Sequence, residues 1–287
     1  MRNFNKILCV WLAAFTITCS GCGKEESSSK SESKADSSTT EVVSLSSGES
    51  SSLTEESHAG KYLTKLAEKL KQGEYTMKCT VTNSIYDGEV KLTRILSGEN
   101  VYQIQEESIG SYGVISVDGK TYNFDNLAGM YQQTESEPPQ SIIEEVINRN
   151  LPMAEDREED TTDGIVTEQY TYTGDTYITN ITFFFNEKNG DLEKYTLKYT
   201  IEGQDDMTET RNVDLLSFEA DQSVFDLDFL DKMSDFGSMT EDERFDYCKD
   251  ICSKNGITSD YLNEMDISED DFKKIDFSTF LNLIYSI

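Results

Sequence analysis

The fold turns on Tyr75-Thr76-Met77-Lys78-Cys79-Thr80-Val81-Thr82, in which Tyr75, Met77, Cys79 and Val81 alternate with Thr76, Lys78, Thr80 and Thr82. A period of two sends one set to each face of an extended strand. Just upstream the period is different. Over 60–72, Tyr62, Leu63, Leu66 and Leu70 recur at helical spacing, and Gly73 stops the helix. Lys61, Lys65 and Lys69 recur at every fourth position as a basic stripe, read chiefly as a solvated helix face, with contact to anionic lipid headgroups as the alternative. Downstream the period of two persists. Residues 89–96 and 100–106 read as strands parted by Ser97-Gly98, and 114–117 and 121–124 flank Asp118-Gly119, a strong hairpin signal. A short strand at 130–132 completes an antiparallel meander expected to have one apolar and one polar face.

Pro138-Pro139 ends the meander. Residues 141–150 then predict a helix with Ile142, Ile143, Val146 and Ile147 on one side, and 155–163 read as an acidic loop. Strands resume at 165–173, 177–185 and 192–201, the last two joined through Asn189-Gly190, and 207–218 is expected to close the sheet. About ten strands and two helices up to Phe229 make an α+β body. The last fifty residues change character. Thr240 to Glu243 form a capping box, Phe245, Cys248 and Cys252 share a helix face, Ser268 caps another helix, and 277–287 is strongly apolar. They predict a small helical unit docked on the sheet.

Working outward to the N-terminus, Arg2 and Lys6 precede an uncharged, mostly apolar run over 7–17, too short to span a bilayer, which needs about 20 residues. Such a run fits an export signal. Residues 24–57 hold fourteen serines in thirty-four positions and little to bury, the composition of a disordered tether with a root-mean-square span of roughly 30–35 Å. His58, the chain's one histidine, stands at its end. The expected organisation is therefore a signal at 1–21, a tether at 22–58, an α+β domain at 59–236 and a helical unit at 237–287.

Composition narrows the chemistry. The 287 residues carry 55 acidic against 25 basic side chains, a formal charge of −30, which repels phosphate backbones and excludes nucleic acid as a partner. With no histidine beyond residue 58, Ser-His-Asp and Cys-His nucleophile arrangements and imidazole-ligated zinc are excluded from the body. Asp266, Ser268 and Asp270 start like a calcium loop, but Asp271 stands where glycine is required and Phe277 where the bidentate glutamate belongs. Carboxylate pairs alone could hydrolyse glycosides, yet beyond Trp11 the chain has no Trp to stack a sugar ring. The expectation is a non-enzyme with no catalytic residues, cofactor or metal. Cys79, Cys248 and Cys252 are read chiefly as small buried hydrophobes, with a disulfide from Cys79 to the tail or a redox pair as the alternatives.

Two resemblances follow. Cys19-Ser20-Gly21-Cys22 resembles the bacterial lipobox, with Cys19 where the pattern prefers Leu, Val or Ile. The resemblance implies that Cys22 is acylated, by palmitate-type chains, and that the protein sits at the outer face of a bacterial cell membrane. The order of helix, meander, central helix and second meander, with Val117-Asp118-Gly119-Lys120-Thr121-Tyr122, the stretch 183–195 and Phe225-Asp226-Leu227, resembles the LolA/LolB-like lipoprotein fold, including its LppX/LprG type, over about 60–229. The resemblance implies a large curved antiparallel sheet, a half-barrel, with helices on its concave face and acyl chains between them. The helical tail is a departure from that pattern, placed either to close such a cavity or to fill it. Under this reading Met77, Val81, Leu92, Ile104, Phe183, Tyr195, Leu197 and Tyr199 line the cavity. The expected function is a membrane-anchored binder of a hydrophobic or amphiphilic small molecule or lipid. The alternative is a sensory or protein-binding module that uses the sheet edge or the acidic tail to engage an envelope protein.

Overall fold

The computed structural model describes residues 60–85, 88–145, 147, 156–173, 177–201, 203, 205–264 and 267–285. The export signal, Cys22, the tether, His58 and Asp266 lie outside the described residues. Among those described, no helix is long and apolar enough to cross a membrane.

The chain opens with α1 (Lys61–Leu70) and runs through β1 (Glu74–Asn83), β2 (Glu89–Ser97), β3 (Asn100–Glu106), β4 (Ser111–Val117), β5 (Lys120–Asp125) and β6 (Met130–Thr134). A short helix, α2 (Ile142–Glu145), leads to β7 (Asp156–Thr162), β8 (Ile165–Thr173), β9 (Tyr177–Asn186), β10 (Leu192–Ile201) and β11 (Met207–Ser217). A segment with short 3-10 turns and β12 (Ser234–Asp235) precedes α3 (Glu241–Lys254), α4 (Ser259–Glu264), α5 (Glu269–Lys273) and α6 (Phe277–Ile284). Thr240 and Ser268 cap α3 and α5 through capping boxes, as their sequences predict.

All twelve strands join one open sheet in the order β12-β6-β5-β4-β3-β2-β1-β11-β10-β9-β8-β7. β1 sits inside it. The first meander steps outward from β1 to β6, and the second starts at the far edge with β7 and steps inward. β11, expected as a closing strand, thus lies in the interior between β1 and β10. Every pairing is antiparallel except β12 with β6, which is parallel.

The acidic loop expected over 155–163 is corrected. Glu155 lies outside the described residues, and Asp156–Thr162 is a strand in register with β8, all seven of its residues exposed. Asp163 and Gly164 take φ of 54° and 80°, so a two-residue turn with left-handed torsions closes the hairpin. The turn chemistry outweighs the low strand propensity of the acids.

The registers define two faces. Tyr75, Met77, Cys79 and Val81 share one with Arg94, Arg211 and Tyr195, and Leu63, Leu66 and Ala67 of α1 and Ile143 of α2 pack on it. The same face carries Tyr112 and Met130, where Cys248, Ile251, Phe280 and Ile284 of the tail helices complete a second cluster. The opposite face is largely polar on β8–β11, with Phe184 and the exposed Leu215 as apolar exceptions. On β3–β6 it is apolar as well, because Leu227, Phe229, Leu230 and Met233 cover Tyr102, Ile104, Ile115 and Phe124. The expectation of one polar face, made for the first meander, is therefore corrected for its outer part. The helical tail shares a core with the sheet rather than standing apart.

Candidate functional site

The residues expected to line a cavity divide by face. Met77, Leu92, Phe183, Tyr195 and Leu197 are buried in one cluster, and Val81 and Tyr199 pack half-buried against it. Ile104 does not join them. Its register partner Thr93 faces Lys78, so Ile104 points to the opposite side and packs against Leu230 and Phe124. In β3 both residue sets carry apolar side chains, and only pairing across three strands assigns the face.

Depth varies along the shared face. Phe183 and Tyr195 have no exposed surface and stack at 5.9 Å, and Leu197 and Met77 retain 1% and 2%. A surface that no water-sized sphere reaches faces protein atoms on every side. Toward one end the packing loosens. Pairing aligns Tyr172, Thr179, Tyr199 and Met207 in a row across β8–β11, with Tyr172, Tyr199 and Met207 half-buried. The Tyr172 hydroxyl is buried and has no hydrogen-bond partner among the described residues. Burial pushes its pKa up, so it is a neutral donor left unsatisfied.

Buried charges fix what covers this face. Glu168, with no exposed surface, accepts from the Tyr62 and Leu63 backbone N–H groups at 2.8 and 3.2 Å and from the Tyr170 hydroxyl at 2.9 Å. The Tyr170 hydroxyl in turn accepts from Gly60 N–H at 2.8 Å. The N-terminus of α1 is thereby held on β8 by a carboxylate that complements its dipole. Gly60 is required, because a Cβ there would fall on the Glu168 carboxyl. Near the middle of the sheet, Arg94 donates to Tyr75 Oη (2.7 Å), Gln103 Oε1 (3.1 Å), Pro139 O (2.8 Å) and Glu144 Oε2 (2.8 Å). Glu144 also takes the Ser141 N–H at 2.7 Å while Ser141 Oγ accepts from Glu144 N–H, so Arg94 grips the capped start of α2. Two rows inside the loose end, Arg211 donates to Glu209 at 2.6 Å and to Tyr195 Oη at 3.5 Å. Burial opposes its charge, and Tyr195 and Glu209 outweigh that, holding its pKa above the ordinary value.

The three described thiols are free and buried. Cys79 lies in the cluster under α1 and Cys248 and Cys252 in the tail cluster, so no bridge joins Cys79 to the tail. Burial pushes Cys79 and Cys252 up to about 11 and Cys248 up to about 12, which leaves little thiolate for redox chemistry near neutral pH. No group of three or more His, Cys, Asp or Glu side chains that could hold a metal ion occurs among the described residues. A shallow polar cleft of about 460 Å³ lies at the β7 edge between Glu158, Glu159, Asp160, Thr167, Gln169 and Thr182.

Glu168, Arg94 and Arg211 escape a search for catalytic motifs. Their signal is a charge in the apolar register of an alternating strand, as in Val166-Thr167-Glu168-Gln169-Tyr170. No protein-family model matches the chain, and no curated protein matches it.

Proposed function

We propose that the chain is a lipoprotein acylated on Cys22 and held at the outer face of a bacterial membrane, whose sheet curves as a half-barrel of the LolA/LolB-like kind and binds an amphiphilic molecule without catalysing a reaction. The observation that carries this reading is the Tyr172 hydroxyl, buried without a hydrogen-bond partner among the described residues, beside the half-buried Tyr199 and Met207 at the loose end of a helix-covered apolar face. An acyl chain would lie along Val81, Tyr172, Tyr199 and Met207, with a polar group within reach of the Tyr172 hydroxyl. The solid packing around Phe183 and Tyr195 limits that site to the rim, which favours a single chain at the edge over a cavity within the body.

The test is native mass spectrometry of the full chain extracted from membranes in mild detergent, with Tyr172→Phe and Tyr199→Ala for comparison. One retained amphiphile per chain, lost about tenfold more readily from Tyr199→Ala, is the expected result. A wild-type chain that carries no amphiphile and takes up none from a mixed-lipid extract overturns it.

A second reading rests on β7. Its outer edge is unpaired among the described residues and its side chains are exposed, so a basic segment of an envelope protein could add alongside it. Cross-linking from β7 in intact cells separates the two, because an amphiphile site predicts no partner captured there.

A further inference from the structure

In a chain with 55 acidic and 25 basic side chains, a surface where cations dominate needs a cause. The outer side of α1 is such a surface. Lys61, Lys65 and Lys69 are exposed along it and Lys71 follows at the helix end, against Glu68 as the acid of the helix. None of these four lysines joins an ion pair among the described residues. Three of them lie instead against rings. Lys61 and Lys65 stand 5.7 and 6.0 Å from the Tyr62 ring centre and Lys69 stands 4.9 Å from that of Phe218, both rings half-buried. The β9–β10 turn beside Tyr62 adds Glu187, Lys188 and Asp191, so the excess of cations resides on the helix itself.

We infer that this face of α1 lies flat against an anionic lipid bilayer and sets the orientation of the whole body above the membrane. The inference rests on anchoring through Cys22, which keeps the body near the surface. Three features favour a bilayer as the occupant. Unpaired lysine heads beside half-buried aromatic rings are the side-chain mixture that suits a lipid headgroup layer. The patch is rigid, because Glu168 and Tyr170 lock the start of α1 to β8. Finally, a body this acidic is repelled by an anionic leaflet on its other sides, so the cationic helix is the face that can approach. Each lysine near such a leaflet strengthens partitioning about fivefold, and three give on the order of a hundredfold within a Debye length of the surface.

The test is a lysine-acylation footprint on the full chain carrying Cys22→Ala, which cannot be acylated, so its outcome does not depend on whether Cys22 is modified in cells. It is read by mass spectrometry with vesicles of phosphatidylcholine alone, with vesicles containing about 30% phosphatidylglycerol, and with soluble polyphosphate. The expected result is protection of Lys61, Lys65 and Lys69 on the anionic vesicles only, with Lys198 and Lys254 still reactive. In addition, K61Q/K65Q/K69Q should lower partitioning onto those vesicles by about a hundredfold at low salt. Equal reactivity on all vesicles, protection on phosphatidylcholine alone, or protection by polyphosphate but not by vesicles overturns the proposal.

Discussion

Arg94 and Glu144 meet at 2.8 Å with 2% and 14% of their side chains exposed, so both are largely withdrawn from water. Removing one partner leaves the other charge buried and uncompensated, which costs about 3–5 kcal/mol, whereas replacing both by apolar groups costs far less. Arg94→Leu and Glu144→Leu should each lower the urea midpoint sharply, and the double variant should recover most of the loss. Additive losses in that cycle would show that the two side chains act separately. Arg94 was legible as strand sequence but not as a pin, since an alternation reads Val90, Leu92 and Leu96 as the inner set and passes over the charge among them. Arg211 escaped in the same way. What a pattern cannot supply is the partner, because Glu144 stands fifty positions away and meets Arg94 only once the helix lies on the sheet. Ile104 shows the converse: its hydrophobicity was plain, and its face depended on register with strands far along the chain.

At the scale of elements, α1 is placed by its first turn as much as by its apolar stripe. The Leu63, Leu66 and Ala67 contacts give the helix a side, while Glu168 gives it a fixed end. Gly60→Ala should therefore destabilise the fold by about 2–4 kcal/mol, beyond the roughly 1 kcal/mol that Ala typically costs at an N-cap, because the new methyl displaces a buried carboxylate from its donors. Glu168→Gln keeps the shape but sets an NH2 donor against a backbone N–H that needs an acceptor, and should cost a comparable amount. Urea unfolding of the two variants checks both values, and a Gly60→Ala chain as stable as the parent would remove Glu168 from its role as the lock. The first helix, the capped tail helices and most strands follow their sequence periods closely, whereas β7 did not, and residues 146 and 148–150 of the helix expected over 141–150 lie outside the described residues. Five charged residues argue for a loop, and the Asp163-Gly164 turn that makes them a strand is the same signal recognised at Asp118-Gly119, hidden because apolar alternation flanks it on one side only.

For the whole molecule, the question is whether the helical tail is a separate unit or part of one core. Tyr285 at the end of α6 donates to Asp125 of β5 at 2.7 Å, and Tyr247 of α3 donates to the Ala128 carbonyl at 2.6 Å. Tyr112 and Met130 lie in the same apolar cluster as Phe280 and Ile284. Glu107, in the β3–β4 turn, borders this junction together with Asp125, Tyr112 and Tyr285. Burial pushes Glu107 from 4.5 up to about 7 and raises Asp125 too, against the donors that Ala128 and Tyr285 supply. A carboxyl whose pKa is higher in the folded chain holds a proton that the unfolded chain gives up. Its contribution is fully present below about 4.5 and is lost as pH rises through about 7. Allowing for partial exposure, the loss from Glu107 amounts to about 1–2 kcal/mol. The urea midpoint should thus be higher at pH 5 than at pH 8, and Glu107→Gln should flatten that slope. Because the carboxyls sit between the tail and the sheet in a shared core, near-ultraviolet signals from both parts should shift together as one transition at each pH. Two transitions, with the tail melting first at pH 8, would mean that the tail docks as a unit of its own and that the cluster around Tyr112 and Met130 is an interface rather than a core.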